Sequence, residues 1–274
     1  MRVKSKRFFA GLLMLSLFLV SACGAQSPSQ PASGGSSAGS QAEDPTLAKI
    51  KSSGVINVGI EGAFPPFNYF NSNNQLEGFD VDITNEIAKR MGVKVNFVPT
   101  PWDSIITGLL ARKYDIILSS MAITPERMQK VDFTDPYYHT GAQLFVPNNS
   151  TVTDPTKVKG MKIGVTVGTT YETKVTDLGA IPVTYKSDEL AFTDLANGRI
   201  QGVVTDRGVG SWMIKDKKYP IKSVGDPLYT ETIGIALNKG ETGLRDEINK
   251  QLKAMMTDGT YTQISQKWFD KDIR

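Results

Sequence analysis

Of its 274 residues the chain spends one on cysteine, Cys23, and one on histidine, His139. A single cysteine closes no intramolecular disulfide, so stability has to come from burial, for which the length is ample. One His and one Cys are too few for a zinc site. No Ser/His/Asp set with a Gly-x-Ser-x-Gly elbow and no Gly-rich phosphate cradle is found, so neither a cofactor nor a metal is expected. Beyond residue 20 no apolar run is long enough to span a bilayer. An excess of one charge is missing too. The formal net is +3, but residues 1–22 hold four of the 31 Lys+Arg and none of the 28 Asp+Glu. The remainder carries 27 basic against 28 acidic side chains, a net of −1. Nucleic acid and anionic surfaces are not expected partners of such a chain.

What is present begins with an address. Arg2, Lys4, Lys6 and Arg7 precede an apolar run over 8–20 that ends in Val20-Ser21-Ala22-Cys23. A basic segment, a short apolar segment and small residues before a cleavage point make an export signal over 1–22, and the run is too short for a spanning anchor. Val-Ser-Ala-Cys resembles the bacterial lipobox. That resemblance implies cleavage before Cys23, which becomes a diacylglyceryl-modified, palmitate-bearing N-terminus held at the extracytoplasmic face of the cell membrane. Residues 24–41 consist of Ser, Gly, Ala, Gln and Pro without charge, a composition that buries too little to fold. A flexible tether over 23–46 is expected, with an r.m.s. reach of about 26 Å for a coil of that length.

From about residue 47 strand and helix signals alternate. Strands are predicted over 55–60, 93–98 and 114–118. Phe79, Ile83 and Ile87 share one helix face, with Asp80 expected to cap that helix and Gly92 to end it. Another helix is predicted over 103–111. A second series predicts strands over 162–167, 181–185 and 202–205 and helices over 171–177 and 188–196. Such alternation argues an α/β protein with largely parallel sheets. Two series suggest two lobes, one of residues 47–140 with 232–274 and one of 141–231. The runs 143–146 and 233–237 would be the two strands that cross between them.

In open α/β sheets ligands sit beyond the carboxyl ends of strands, where loops meet helix N-termini. Those positions here are 61–67, 100–102, 119–127, 166–171 and Asp206. They include one Arg, the acids Glu61 and Asp206, several hydroxyls and two exposed-looking aromatics, Phe64 and Trp102, the set a zwitterionic amino acid needs: a fork for its carboxylate and an acid for its ammonium.

The same segments resemble the type II solute-binding proteins of polar amino acid ABC importers (solute-binding protein family 3). The pieces are Glu61-Gly62-Ala63-Phe64-Pro65-Pro66-Phe67, Leu76-Glu77-Gly78-Phe79-Asp80-Val81-Asp82 and Ser119-Ser120-Met121-Ala122-Ile123-Thr124-Pro125-Glu126-Arg127. Val131-Asp132-Phe133-Thr134-Asp135-Pro136-Tyr137, Gly168-Thr169-Thr170-Tyr171-Glu172, Thr205-Asp206-Arg207, Asp258-Gly259-Thr260-Tyr261 and Lys267-Trp268-Phe269 follow in family order over about 50–270. The resemblance implies a two-lobed, periplasmic-binding-protein-like type II fold with two hinge strands. It implies a monomer that closes on an amino acid and is recognised by a membrane permease.

Position by position, the resemblance makes Arg127 the clamp on the α-carboxylate, helped by Thr170 from the opposite lobe. Asp206 falls where the family binds the α-ammonium. Ser119 and Ser120 would supply hydroxyl and main-chain contacts. Ala122 departs from the pattern, since many relatives carry a hydroxyl there. Phe64 and Trp102 match the aromatic pair around the ligand side chain, Glu61 the acid at its far end, and Tyr171 would line the second lobe. His139 is read as a surface residue of the hinge. Glu61 between two aromatics favours cationic ligands (Lys, Arg, ornithine, His), then cystine, then glutamine, with glutamate and aspartate last. The rival class is an exported cyclohexadienyl-type dehydratase on the same fold, with Glu61 as its general acid. Such an enzyme has no need of an ammonium site, so an Arg/Asp pair argues for a binder and against an enzyme.

Overall fold

The computed structural model describes residues 44–274. The expected signal, the lipidation site Cys23 and the tether as far as residue 43 lie outside the described residues. The tether was expected to run to residue 46, yet Asp44 already caps α1 (Pro45–Ser53), its carboxylate accepting from Thr46 N at 2.9 Å and Leu47 N at 3.3 Å. Proline at the first helical position and left-handed Gly54 at the end complete the helix.

The first series then runs β1 (Val55–Ile60), β2 (Ala63–Phe64), β3 (Asn68–Phe70), β4 (Leu76–Glu77), α2 (Phe79–Met91), β5 (Lys94–Pro99), α3 (Trp102–Leu110), β6 (Ile116–Ala122), α4 (Pro125–Lys130) and β7 (Asp132–Phe133). After the crossing strand β8 (Tyr138–Pro147) comes the second series: β9 (Lys162–Thr166), α5 (Thr170–Asp177), β10 (Ile181–Tyr185), α6 (Asp188–Ala196), β11 (Gly202–Asp206) and α7 (Arg207–Lys215). The chain returns through β12 (Ile221–Leu237) and ends in α8 (Thr242–Asp258) and α9 (Thr260–Phe269).

The main sheet has the order β10-β9-β11-β8-β12-β6-β1-β5, with β7 beside β12. Pairing is parallel within each series, β5-β1-β6 and β10-β9-β11. In the middle, β8 and β12 run antiparallel to each other and to their outer neighbours. This is a two-lobed α/β fold joined by two strands. The crossing strands are longer than the predicted runs 143–146 and 233–237. Tyr138 to Ala142 pair with Ile233 to Tyr229, the ladder shifts register between Val224 and Tyr229, and pairing resumes at Leu144.

One core cluster joins Val58, Phe79, Ile83 and Leu118 of the first half to Phe192, Val203 and Met213 of the second, and another gathers Leu144, Val165, Val175 and Val204 within the second. α7 lies so close to β8 that a Cβ on Gly210 would meet the Phe145 ring at 2.0 Å, a contact only glycine avoids. Among the described residues no helix is long and apolar enough to cross a membrane.

One local expectation fails. Gly78, not Asp80, is the N-cap of α2, and no side chain caps that helix. Asp80 sits in its first turn, wholly buried, and its carboxylate serves other residues, as described below.

Candidate functional site

The first half of the site is built where β1 and β6 end. Every residue of β6 is buried, and its last turn presents Ser119, Ser120 and Ala122. The Ser119 hydroxyl accepts from Glu61 N at 2.9 Å, tying the two strand ends together. Ser120 is a non-glycine residue at φ 52°, a left-handed conformation that costs on the order of 1 kcal/mol and has to be held in place. Asp80 holds it. Its carboxylate accepts from the Ser120 hydroxyl, Asn68 Nδ2 and the Tyr137 hydroxyl, each at 2.8 Å. Asn68 Oδ1 in turn accepts from Gly62 N at 2.8 Å, which fixes the loop behind Glu61. Burial pushes the Asp80 carboxyl up to about 6 against the pull of those three hydrogen bonds.

Arg127 reaches the site from α4. Thr124 caps that helix by accepting from Arg127 N at 3.2 Å, and Pro125 opens it. The guanidinium is buried and lies 5.2 Å from the centre of the Trp102 ring. Nη1 donates to the Ala122 carbonyl at 3.0 Å. Among the described residues that is the one hydrogen bond its guanidinium makes, and it forms no ion pair. Five N–H donors are therefore served by a single acceptor. Burial lowers its pKa, with the Glu231 carboxylate the largest opposing influence.

The second half comes from the ends of β9 and β11. Thr169 caps α5 and donates its hydroxyl to Thr166 O at 2.6 Å. Tyr171 is buried, and its hydroxyl donates to Glu231 Oε2 at 2.9 Å. Asp188, buried at the start of α6, accepts from the Thr166 hydroxyl at 2.7 Å and the Thr205 hydroxyl at 2.5 Å. The two halves touch here. Trp102 Nε1 donates to Gly168 O at 3.2 Å, and Lys186 pairs with Asp103 at 2.5 Å.

Between them lies a cavity of about 20 Å³, room for roughly one water. Glu61, Phe64, Trp102, Ser119, Ser120, Ala122 and Arg127 line it from the first half, and Tyr171 from the second. These are eight of the ten residues expected from sequence. Thr170 is turned away, donating to Glu231 Oε1 at 2.5 Å and facing the outer cleft. Asp206 does not line this cavity. Its Oδ1 caps α7 by accepting from Gly208 N at 2.6 Å, while its buried Oδ2 has no partner among the described residues. The two serines spend their hydroxyls locally, as above, while still facing the cavity. His139 is exposed on β8 with Nδ1 3.3 Å from the Thr232 hydroxyl.

Sequence reasoning missed four residues. Thr166 and Thr169 lie in the strand-end segment 166–171 but were not singled out, and both line the cavity. Asp188 also lines it. Glu231, buried on β12, gathers the hydroxyls of Thr170 and Tyr171. Only the strand-end position of the two threonines gave a local signal.

The charges are unevenly met. Glu61 is pushed up to about 8, first by burial and then by the negative Asp188. Burial also raises Asp188, against its two threonine hydrogen bonds. Asp206 is raised to about 7, by burial first, with the nearby Thr140 hydroxyl and the Gly208 N–H opposing. No hydrogen bond or ion pair joins Arg127 to Glu61; the guanidinium's acceptor is the Ala122 carbonyl. A guanidinium and an acid thus share one cavity without neutralising each other.

Known proteins resemble this chain over most of its length. The model of the bacterial extracellular solute-binding proteins, family 3, matches residues 56–271. The chain is 33% identical over 243 residues to the L-cystine-binding protein TcyJ of Escherichia coli, which covers 87% of this chain and 91% of that protein. It is 37% identical over 220 residues to ABC transporter arginine-binding protein 1 of the same species, covering 78% of this chain and 90% of that protein. Among solved structures it is similar to an ancestral amino acid-binding protein described as a precursor of cyclohexadienyl dehydratase. There the identity is 37% and the TM-score 0.77, over 82% of this chain and 99% of the other. The chain belongs to the bacterial extracellular solute-binding proteins, family 3, the family its ordered motifs resemble.

Proposed function

We propose that this protein binds a polar amino acid outside the cell, a cationic one by preference, and hands it to the permease of an ABC importer. The observation that carries the reading is geometric: buried Arg127, whose guanidinium has one acceptor, and Glu61, a desolvated acid with no cation paired to it among the described residues, line one cavity. In this reading the α-carboxylate meets Arg127, the side chain passes Phe64 and Trp102 toward Glu61, and the α-ammonium meets the unpartnered Oδ2 of Asp206, which does not line the closed cavity and would be reached once the halves part. Thr170 supports the clamp through Glu231 rather than by direct contact.

A cavity of about 20 Å³ admits no amino acid unless the halves part. Residues 47–140 with 232–274 would swing against 141–231 about β8 and β12, and ligand contacts from both halves would favour closure. The closed monomer is the form a permease would meet. Binding rather than dehydration is supported by the similarity to binding proteins, while the dehydratase precursor keeps turnover of prephenate or arogenate worth assaying.

The ligand is tested by calorimetry with arginine, lysine, ornithine, histidine, cystine, glutamine and glutamate. The cationic group should bind tightest and glutamate weakest; tighter binding of glutamate or aspartate than of every cation and cystine would overturn the role given to Glu61. The pH dependence is a second check. A cation binds the ionised carboxylate, and with a free pKa of about 8 the group is mostly protonated at pH 6. Arginine affinity relative to glutamine should therefore rise by up to about tenfold per pH unit from 6 toward 8 and then level off. Glu61→Gln should flatten that rise.

We infer also that the protein is lipid-anchored through Cys23. Fractionation should find Cys23→Ser soluble or uncleaved, because acylation needs the thiol; mature mutant protein on the membrane would contradict the anchor.

A further inference from the structure

We propose that Asp188 is a second specificity-determining acid, set opposite Glu61 across the cleft, and that the two select a side chain ending in a cation with several N–H donors, a guanidinium above all. This rests on the amino-acid reading above and concerns the far end of the same cavity.

Glu61 lines the cavity from the end of β1 in the first half, and Asp188 from the start of α6 in the second. The side chain of Asp188 is fixed. One oxygen accepts from Thr166 at the end of β9 and the other from Thr205 near the end of β11, so the carboxylate bridges two strand ends. Bridging strands would not by itself require a place on the cavity wall. A carboxylate oxygen has two lone pairs, and one on each oxygen of Asp188 stays free after its threonine.

Among the described residues no cation forms an ion pair with either acid. Lys186, two residues before Asp188, is 72% exposed, is engaged with Asp103 and does not line the cavity. Arg127 forms no hydrogen bond or ion pair with either acid and donates to the Ala122 carbonyl instead. Closing the cleft brings Glu61 and Asp188 within electrostatic reach of each other in a low-dielectric space, where like charges oppose closure. A cation between them reverses the sign. Each acid belongs to a different half, so a cationic end group rewards the closed state specifically. A planar guanidinium presents donors along two edges and can serve two carboxylates, which a single ammonium does less well and a neutral amide does without charge. The distal carboxylate of cystine would face two acids.

The test is calorimetry with L-arginine and L-citrulline, whose neutral ureido group replaces the guanidinium at nearly the same shape, on the wild type, Asp188→Asn and Glu61→Gln. The wild type should prefer arginine strongly. Asp188→Asn should lose roughly tenfold or more for arginine while citrulline changes little. A merely structural Asp188 would weaken both ligands alike, and that result overturns the proposal. If Asp188→Asn fails to fold, Glu61→Gln decides. A remaining arginine preference of about tenfold or more shows a second acid at work, whereas its disappearance makes Glu61 the sole acid. A wild type that binds arginine and citrulline equally removes this inference alone; one that binds no amino acid removes the amino-acid reading as well.

Discussion

Arg127→Ala should weaken amino-acid binding by about 2–5 kcal/mol, from some thirtyfold to a few thousandfold. The size follows from what is left behind. A ligand carboxylate brought into this site loses its water, and without the guanidinium it would face the Ala122 carbonyl and the indole of Trp102 instead of a fork of donors. Arg127→Lys should recover little, because an ammonium on a flexible stem cannot offer two parallel N–H groups. The fold should be spared. Thr124 still caps α4, and the buried guanidinium has one hydrogen bond and no ion pair among the described residues, so its removal takes away a desolvated charge. The expected pattern is therefore a ligand-free melting temperature at or above the wild type, together with lost binding. Calorimetry that finds near wild-type affinity would take Arg127 out of the site. A variant that merely unfolds would lose binding together with a lowered ligand-free melting temperature.

How far the sequence speaks for this molecule depends on the range of the interaction in question. Helix α2 shows its buried face and its terminal glycine in a dozen residues, and the parallel series shows itself in alternation; both are local patterns. The crossing strands are not local. Residues 138–142 are strand because 229–233 lie beside them, ninety positions away, so only their more apolar parts, 143–146 and 233–237, were read. The small sheet of β2, β3 and β4 lies in a stretch rich in turn residues and shows no run long enough to register.

The site divides in the same way. Glu61, Ser119, Arg127 and the loop after β9 stand at strand ends, where chain order alone predicts a ligand, and there they line one cavity. Asp188 looked like an ordinary start of a helix, because the two threonines that aim it lie 22 positions before and 17 after it. Glu231 sits in the polar run Tyr-Thr-Glu-Thr, and what makes it central are hydroxyls about sixty residues away. Asp80 illustrates the same limit. Its place in the first turn of α2 suggested a cap, but its partners at 68, 120 and 137 give it another task.

That task sets the second large effect. Asp80→Ala should destabilise the ligand-free protein by about 3–5 kcal/mol, since it leaves Asn68 Nδ2 and the hydroxyls of Ser120 and Tyr137 as buried donors with nothing to bond. Ser120 would lose what holds its left-handed backbone, and Gly62 the anchored Asn68, so the walls of the cavity should loosen and affinity fall as well. Asp80→Asn is the more telling variant, because its effect depends on pH. The carboxyl of Asp80 is raised from 3.8 to about 6 in the folded protein. A raised acid binds its proton more tightly when folded, so its contribution is fully present below pH 3.8 and is lost as pH rises through 6. The wild type should lose on the order of 2–3 kcal/mol through this group across that window, and the asparagine variant should not. Near pH 7.5 the buried charge offsets much of what its three hydrogen bonds provide, so Asp80→Asn should be mildly destabilising there. Near pH 4 the wild type carries the neutral acid in the same place, and the gap between the two proteins should widen by that amount. Urea unfolding at the two pH values measures it directly. A gap that is constant or narrows at low pH would mean that Asp80 is not a desolvated carboxylate clamped by three donors.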